Sequence, residues 1–264
     1  MALALCQGRL TLTTGVPVTT SDVTAATTVY FTPYKGNQIG LYSGSTWNLF
    51  AFSEISLSLS GYTADKNYDI WVYDNSGTVT LDSTVWTNDT TRATELTTQD
   101  GVYVKSGATT RRYVGTIRIT GTTGQTEDSL TKRFVWNYYN QVGRPMAYSA
   151  YTYHGYNGGY RSWNNSTTHR IYLVVGETTT LTINVTARLN SNGTSGRYAY
   201  MGLGMDSTSL PTVEAPVVEL ANWVYATRTA YKNASAGYHY LQALESSASS
   251  GTSTFGGFEI GVLI

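Results

Sequence analysis

The sequence predicts an all-β protein built from two β-domains, and three observations carry that expectation. Apolar and polar residues alternate with a period of two in segment after segment. Clusters of Gly, Asn, Asp and Ser separate those segments at turn spacing. The composition is led by Thr and carries 22 Tyr, residue types that suit a pleated, half-buried surface, while charged residues make up only 13%. At 264 residues the chain is long enough for two modest domains, each with a core of its own.

In the first half, Ile55, Leu57 and Leu59 alternate with Ser56, Ser58 and Ser60, which reads as a strand with one face inward. The run Tyr68 to Tyr73 ends at the turn cluster Asp74, Asn75, Ser76 and Gly77 before Val79 and Leu81 resume the alternation, so a hairpin is expected. Asn88 to Leu96 is expected to form a short helix, with Asn88 or Asp89 as its N-cap. Val102 and Val104 make a short strand, and Lys105 to Gly107 turn the chain toward a strand over Tyr113 to Thr120. Glu127 to Tyr139 fits either a helix capped by Ser129 or a strand. Its aromatic and β-branched content favours the strand. Arg144 and Pro145 are expected to stop regular structure, and the composition changes after them. The domain boundary is therefore placed at Met146, giving an N-terminal β-barrel or sandwich over 1–146 and a C-terminal domain over 147–264.

The second half repeats the pattern. Ile171, Leu173 and Val175 precede a Gly-Glu turn, and Leu181, Ile183, Val185 and Ala187 alternate with Thr182, Asn184, Thr186 and Arg188. Ala199 to Leu203, Tyr225 to Ala230, Tyr238 to Glu245 and Phe255 to Val262 supply further strands, with a longer loop marked by Pro211 and Pro216. Many short strands with this spacing predict a β-sandwich, and a jelly roll is the preferred topology.

Net charge is zero, which removes the electrostatic footprint that a nucleic-acid partner requires. The basic pairs Arg111–Arg112 and Lys132–Arg133 are expected to be solvated or ion-paired. The single cysteine, Cys6, allows no intrachain disulfide, which suits folding in a reducing cytoplasm. The opening residues lack the basic and long apolar regions of a signal peptide, and no apolar run reaches membrane-spanning length, so no membrane insertion is expected.

No pattern points to catalysis. His154, His169 and His239 have no second ligand at metal spacing and are expected to be surface or hydrogen-bonded residues. No GxSxG elbow occurs. Asp206 to Thr208 hold too few carboxylates for a calcium loop. A glycan-cleaving site would need two opposed carboxylates, with Asp65, Asp69 and Asp74 or Glu214 and Glu219 as candidates. Isolated acids in β-proteins more often serve turns and solvated faces. Catalytic residues, cofactors and metals are accordingly not expected. The stretch AYSAYTYHGYNGGYRSW offers rigid rings beside small adaptable residues, a composition suited to surface recognition. Tyr151, Tyr153, His154, Tyr156, Asn157, Tyr160, Arg161 and Trp163 are the candidate contacts with a glycan. The competing assignment is that these aromatics pack a domain seam or a subunit interface.

Four blocks in order carry a family resemblance: Gly8 to Trp47, Asp100 to Met146 (DGVYVKSGATTRRYVGTIRITGTTGQTEDSLTKRFVWNYYNQVGRPM), MGLGMDSTS from Met201, and GYHYLQALE from Gly237. They resemble structural proteins of tailed-bacteriophage and prophage virions. The resemblance implies a non-enzymatic virion component, assembled in the host cytoplasm and placed on the particle surface. It also implies other virion proteins as neighbours and a homotrimer. A tail appendage or fibre component touching host surface glycan is the first expectation. A capsid decoration or head fibre is the alternative, and a depolymerase the least favoured.

Overall fold

A computed structural model of the chain describes residues 5–190, 198–214, 222–248 and 251–264. The chain is all-β, with several separate sheets and a 3-10 turn at Trp163–Asn165. It divides into two compact units. The first comprises Met1–Val142 with Val174–Thr178 and Ser235–Tyr238, and the second comprises Gly143–Leu173, Thr179–Ala234 and His239–Ile264.

The first unit is built on antiparallel sheets. Strands β1 (Gly8–Thr11), β3 (Thr28–Pro33) and β6 (Ile55–Ser58) form one, and β4 (Gln38–Tyr42) pairs β5 (Trp47–Ala51). The largest runs β8 (Thr78–Val85), β7 (Asn67–Asn75), β11 (Ala108–Arg118), β10 (Val102–Lys105), β9 (Leu96–Gln99), with β14 (Val135–Asn137) also on β11. Strand β2 (Val23–Ala26) pairs β12 (Thr126–Asp128), which pairs β13 (Lys132–Arg133). The expected hairpin joins β7 to β8. Asn75 opposes Thr78, and Ser76 (φ 53°) and Gly77 (φ 92°) both take positive φ, the backbone signature of the hairpin turn whose twist matches the strands. Asp74 closes the turn by accepting the Gly77 N–H at 2.6 Å.

Pleating sends alternate β7 residues to opposite sides. Tyr68, Ile70 and Val72 join Leu10, Phe31 and Ile39 in one core. Asp69 and Trp71 face the other way, and there Asp69 receives Arg92 Nε at 2.8 Å and Thr116 Oγ1 at 2.8 Å. The Arg92 guanidinium also lies 4.4 Å from the Trp86 ring centroid and donates to Gly176 O at 2.6 Å. Burial pushes the Asp69 carboxyl above its ordinary range, against the Arg92 charge that draws it down.

Several expectations are corrected here. Asn88 to Leu96 is not helical: Asn88 Oδ1 accepts the Thr90 and Thr91 N–H groups, an Asx turn, and β9 begins at Leu96. A side chain that satisfies these amides locally offers the backbone an alternative to the helix. Pro145 does not end regular structure. It is the first residue of β15 (Pro145–Ala150), a position where its missing N–H is tolerated, and Met146 is buried opposite Val262. The units accordingly divide at Val142/Gly143, and residues 174–178 and 235–238 belong with the first, where Gly176 O meets Arg92 and the Tyr238 N–H meets Asp89 O at 2.9 Å. In the basic pairs, Arg111 pairs Asp82, Lys132 pairs Glu127 and Arg133 pairs Asp128, as expected. Arg112 is buried and donates to the carbonyls of Leu5 and Gly40.

The second unit is a jelly roll. Its main strands are β15, β18 (Arg170–Val175), β19 (Thr179–Asn190), β20 (Tyr198–Met205), β21 (Val213–Glu214), β22 (Val224–Ala234), β23 (Gly237–Ala248) and β24 (Ser253–Leu263). One sheet runs β15, β24, β19, β22 and the other β18, β23, β20, β21, so first, eighth, third and sixth strands oppose second, seventh, fourth and fifth. Short strands β16 (His154–Tyr156) and β17 (Gly158–Ser162) add to β24 and β23 respectively. Leu181, Ile183, Val185 and Ala187 point inward from β19, as their alternation predicts, and Leu189 continues the row. Pro216 and Glu219 lie outside the described residues.

Replacing Arg92 by Leu is expected to lower stability by about 3–5 kcal/mol, the usual cost of leaving one member of a buried pair alone. Urea denaturation measures this. The double variant with Asp69→Asn should recover a large part, and a single variant within about 0.5 kcal/mol of wild type would show the pair to be energetically idle.

Candidate functional site

The tyrosine-rich segment runs along the second unit, and the pleat divides it. Tyr151 and Tyr153 are 64% and 61% exposed and rise on the outer face of the β15–β24–β19–β22 sheet. Trp163 is 0% exposed and packs against Phe255 and Phe258 at centroid distances of 5.3 and 5.0 Å. It is a core residue and no ligand reaches it. His154 also turns inward, stacked on Phe255, with its two ring nitrogens facing the Thr152 carbonyl and the Glu245 carboxylate. Arg161 meets the other Glu245 oxygen at 2.8 Å and lies 3.7 Å from the Tyr156 ring centroid. Tyr156 and Asn157 stay near the surface, where the Tyr156 hydroxyl donates to Gly159 O. Tyr160 is half-buried beside Tyr200, and burial together with the Glu214 carboxylate raises its phenol pKa. The eight candidates therefore do not form one surface.

Two of them do belong to a larger one. Trp223 meets Tyr153 edge to face at 5.5 Å, and the Arg188 guanidinium lies 4.7 Å from the Trp223 centroid while hydrogen-bonding the Tyr153 hydroxyl. Tyr151 donates to Glu259, and the Glu259 carboxylate raises the Tyr151 phenol pKa. Tyr225, 70% exposed, opposes Arg188 across the β19–β22 pair. Four rings, one guanidinium and one carboxylate thus share a single patch, with each charge met by a tyrosine hydroxyl.

Backbone chemistry makes room for these rings. Between Arg188 and Leu189 the register on β24 passes from Gly257 to Phe255, a β-bulge centred on Gly256. A Cβ at Gly256 would stand 2.8 Å from the Trp223 ring and 3.2 Å from the Tyr153 ring, and one at Gly257 (φ 146°) would stand 2.6 Å from the Tyr151 ring. Trp223 and Tyr225 were not among the sequence candidates. They lie some seventy residues downstream of Tyr151 and Tyr153, and only strand pairing joins the two segments.

The histidines are all hydrogen-bonded, as expected: His154 to Glu245, His169 Nδ1 to the Tyr148 hydroxyl at 3.1 Å, and His239 to Asp206 at 2.6 Å. Burial among Tyr148 and Phe258, with a smaller contribution from His154, pulls the His169 pKa below its ordinary value against the opposing pull of Glu245. The candidate carboxylates have structural duties: Asp69 is the buried partner of Arg92, Asp74 closes a turn, and Asp65 sits at positive φ.

No protein-family model matches the chain, and no curated protein matches it. Among solved structures, a Bacillus thuringiensis Cry1Da tryptic core variant aligns with 89% of this chain at 7% identity and a TM-score of 0.24. The chain spans about half of that structure, with 48% of it covered. A likeness at that level carries no argument about fold or function.

Two outcomes are expected. Gly256→Val should displace Trp223, read as a change in the emission difference between that variant and its Trp223→Phe counterpart, and should cost about 1–3 kcal/mol by overpacking. An unchanged difference spectrum would mean that the rings do not rest on the bulge. Because the His169 pKa is lowered on folding, its contribution to stability is present above its ordinary value of 6.5 and is lost as pH falls toward the folded-state value. His169→Gln should flatten the stability profile in that window, measured by urea midpoints from neutral pH downward. An unaltered slope would remove His169 from the account.

Proposed function

We propose that this chain is a non-enzymatic structural protein of a bacteriophage virion, a tail appendage or fibre component that contacts the host surface through its second unit. The observation that carries the reading is the aromatic patch of exposed Tyr151, Tyr153 and Tyr225 with half-buried Trp223 around Arg188 and Glu259. Large rings held open to solvent on a rigid sheet are costly unless they meet a partner, and their amphipathic edges suit polar surfaces. The sequence resemblance to virion structural proteins supplies the biological setting. Assembly as a homotrimer would display several copies of the patch and could cover the edge of β22, the last strand of its sheet among the described residues. Weak single contacts then add through multivalency.

Particles carrying Tyr151→Ala, Tyr153→Ala and Tyr225→Ala together are expected to keep normal yield and lose roughly tenfold in adsorption to host cells, as for loss of central aromatic contacts. A gold label on the chain should lie on the tail. Label on the head would move the protein to shell decoration, label on neither would remove it from the virion, and unchanged adsorption would sink the contact reading.

A further inference from the structure

The aromatic patch is one end of a longer surface. On β19 and β22 the outward residues pair as Arg188 with Tyr225, Thr186 with Thr227, Asn184 with Thr229, and Thr182 with Tyr231. The next strand continues these rows with Glu259 beside Thr186, Gly261 beside Asn184 and Leu263 beside Thr182. Ser149 and Ala147 extend the two middle rows on β15. Between the patch and Tyr231 the floor therefore consists of short hydroxyl, amide and glycine positions. Tyr231, 71% exposed, closes the far end. From Tyr225 to Tyr231 is six residues on one strand, roughly 20 Å at about 3.4 Å per residue.

We propose that this outer face of the β15–β24–β19–β22 sheet binds a neutral polysaccharide chain laid along the strands, stacked on the Tyr225 end and on Tyr231, with intervening sugar hydroxyls bonded to the Thr and Asn floor. The inference rests on the host-contact reading and adds the ligand's chemical class and its path. The Thr186 and Thr227 hydroxyls lie 3.2 Å apart, and Thr229 Oγ1 donates to Asn184 Oδ1 at 2.6 Å, so a row of groups able both to donate and to accept is already aligned. Charge selects against other polymers. The outward positions carry one cation, Arg188, and one carboxylate, Glu259, each already met by a tyrosine hydroxyl, so the face offers a polyanion no net attraction. A protein partner would be served by an apolar centre, and the centre here is hydroxyl and amide. A flat row of small polar groups with a ring at each end complements a chain whose sugars present apolar faces and hydroxyl edges in turn.

The test uses the full chain on an array of neutral glucans, galactans, mannans and xylans printed beside uronate- and sialate-bearing glycans, followed by calorimetry with the oligosaccharides retained. Longer neutral oligosaccharides are expected to bind, and disaccharides of the same sugar to bind at least roughly tenfold more weakly because they reach only one end. Thr227→Arg, which blocks the floor, and Tyr231→Ala, which removes the far ring, should each weaken binding roughly tenfold. Thr229→Val, which removes one hydroxyl without adding bulk, should weaken it severalfold. Urea midpoints report whether each variant keeps the fold. Retention of acidic glycans alone, no retained glycan, or neutral binding untouched by all three variants would overturn the inference. Adsorption lost in the tyrosine variants with an empty array would leave host contact standing and assign the face to a protein receptor. Unchanged adsorption with neutral binding intact would do the reverse.

Discussion

The outer face of the second unit depends on one extra residue in β24. Strict alternation would send Phe255 and Phe258, three positions apart, to opposite sides of the sheet. The bulge at Gly256 resets the count, so both phenylalanines enter the core and pack on Trp163. On the outside the same two glycines present bare backbone where side chains would otherwise stand, and the rings of Trp223, Tyr153 and Tyr151 settle there. Positive φ at Gly257 makes that residue type obligatory in practice. Core packing and the aromatic patch on the outer face thus share a single backbone irregularity.

A second constraint holds the rings in register. Glu245 is 0% exposed, and an isolated buried carboxylate would cost several kcal/mol in desolvation. Its partners His154 and Arg161 come from β16 and β17, within the same run that carries Tyr151 and Tyr153 to the outside. A slip of one residue in this segment would bring Tyr153 inward, turn His154 out, and strand the carboxylate. These contacts to Glu245 therefore penalise the wrong register more than they strengthen the right one. The arrangement also explains why a composition that reads as a single binding stretch separates into two layers only a few ångströms apart.

Much of this architecture was legible from residues alone, because periodicity is a direct image of the pleat. The β19 alternation named four of its inward residues correctly, Leu181, Ile183, Val185 and Ala187, and the Asp74 to Gly77 cluster named a hairpin whose turn needs positive φ at Ser76 and Gly77. The jelly-roll topology followed from strand number and spacing. What escaped was non-local or competitive. Asn88 reads as a helix cap or as an Asx turn from the same side chain, and tertiary context chose the turn. Trp163 and Tyr160 share one composition with Tyr151 and Tyr153, yet a change of strand and a 3-10 turn bury the first and half-bury the second. Tyr225 and Trp223 could be joined to the patch only through the register of three strands. The return of 174–178 and 235–238 to the first unit likewise has no compositional mark, since it is written in hydrogen bonds such as Arg92 to Gly176 O.

Shape decides what such a surface does well. A row of short side chains exposed on a sheet face would exclude little water from a chain laid on it, so each hydrogen bond formed would exchange for one to solvent and contribute about 0.5–1.5 kcal/mol at most. Stacking on a ring adds a similar amount for each contact. Against the cost of association, sums of this size would give weak binding at a single site. The remaining route is repetition. Under the proposed reading, a second copy displayed beside the first would meet the same polymer at an effective concentration fixed by their separation, and a long neutral chain would offer many equivalent registers along its length. Strong attachment through such a face would therefore call for display in several copies, while the bulge at Gly256 and the buried Glu245 contacts fix which side chains each copy presents.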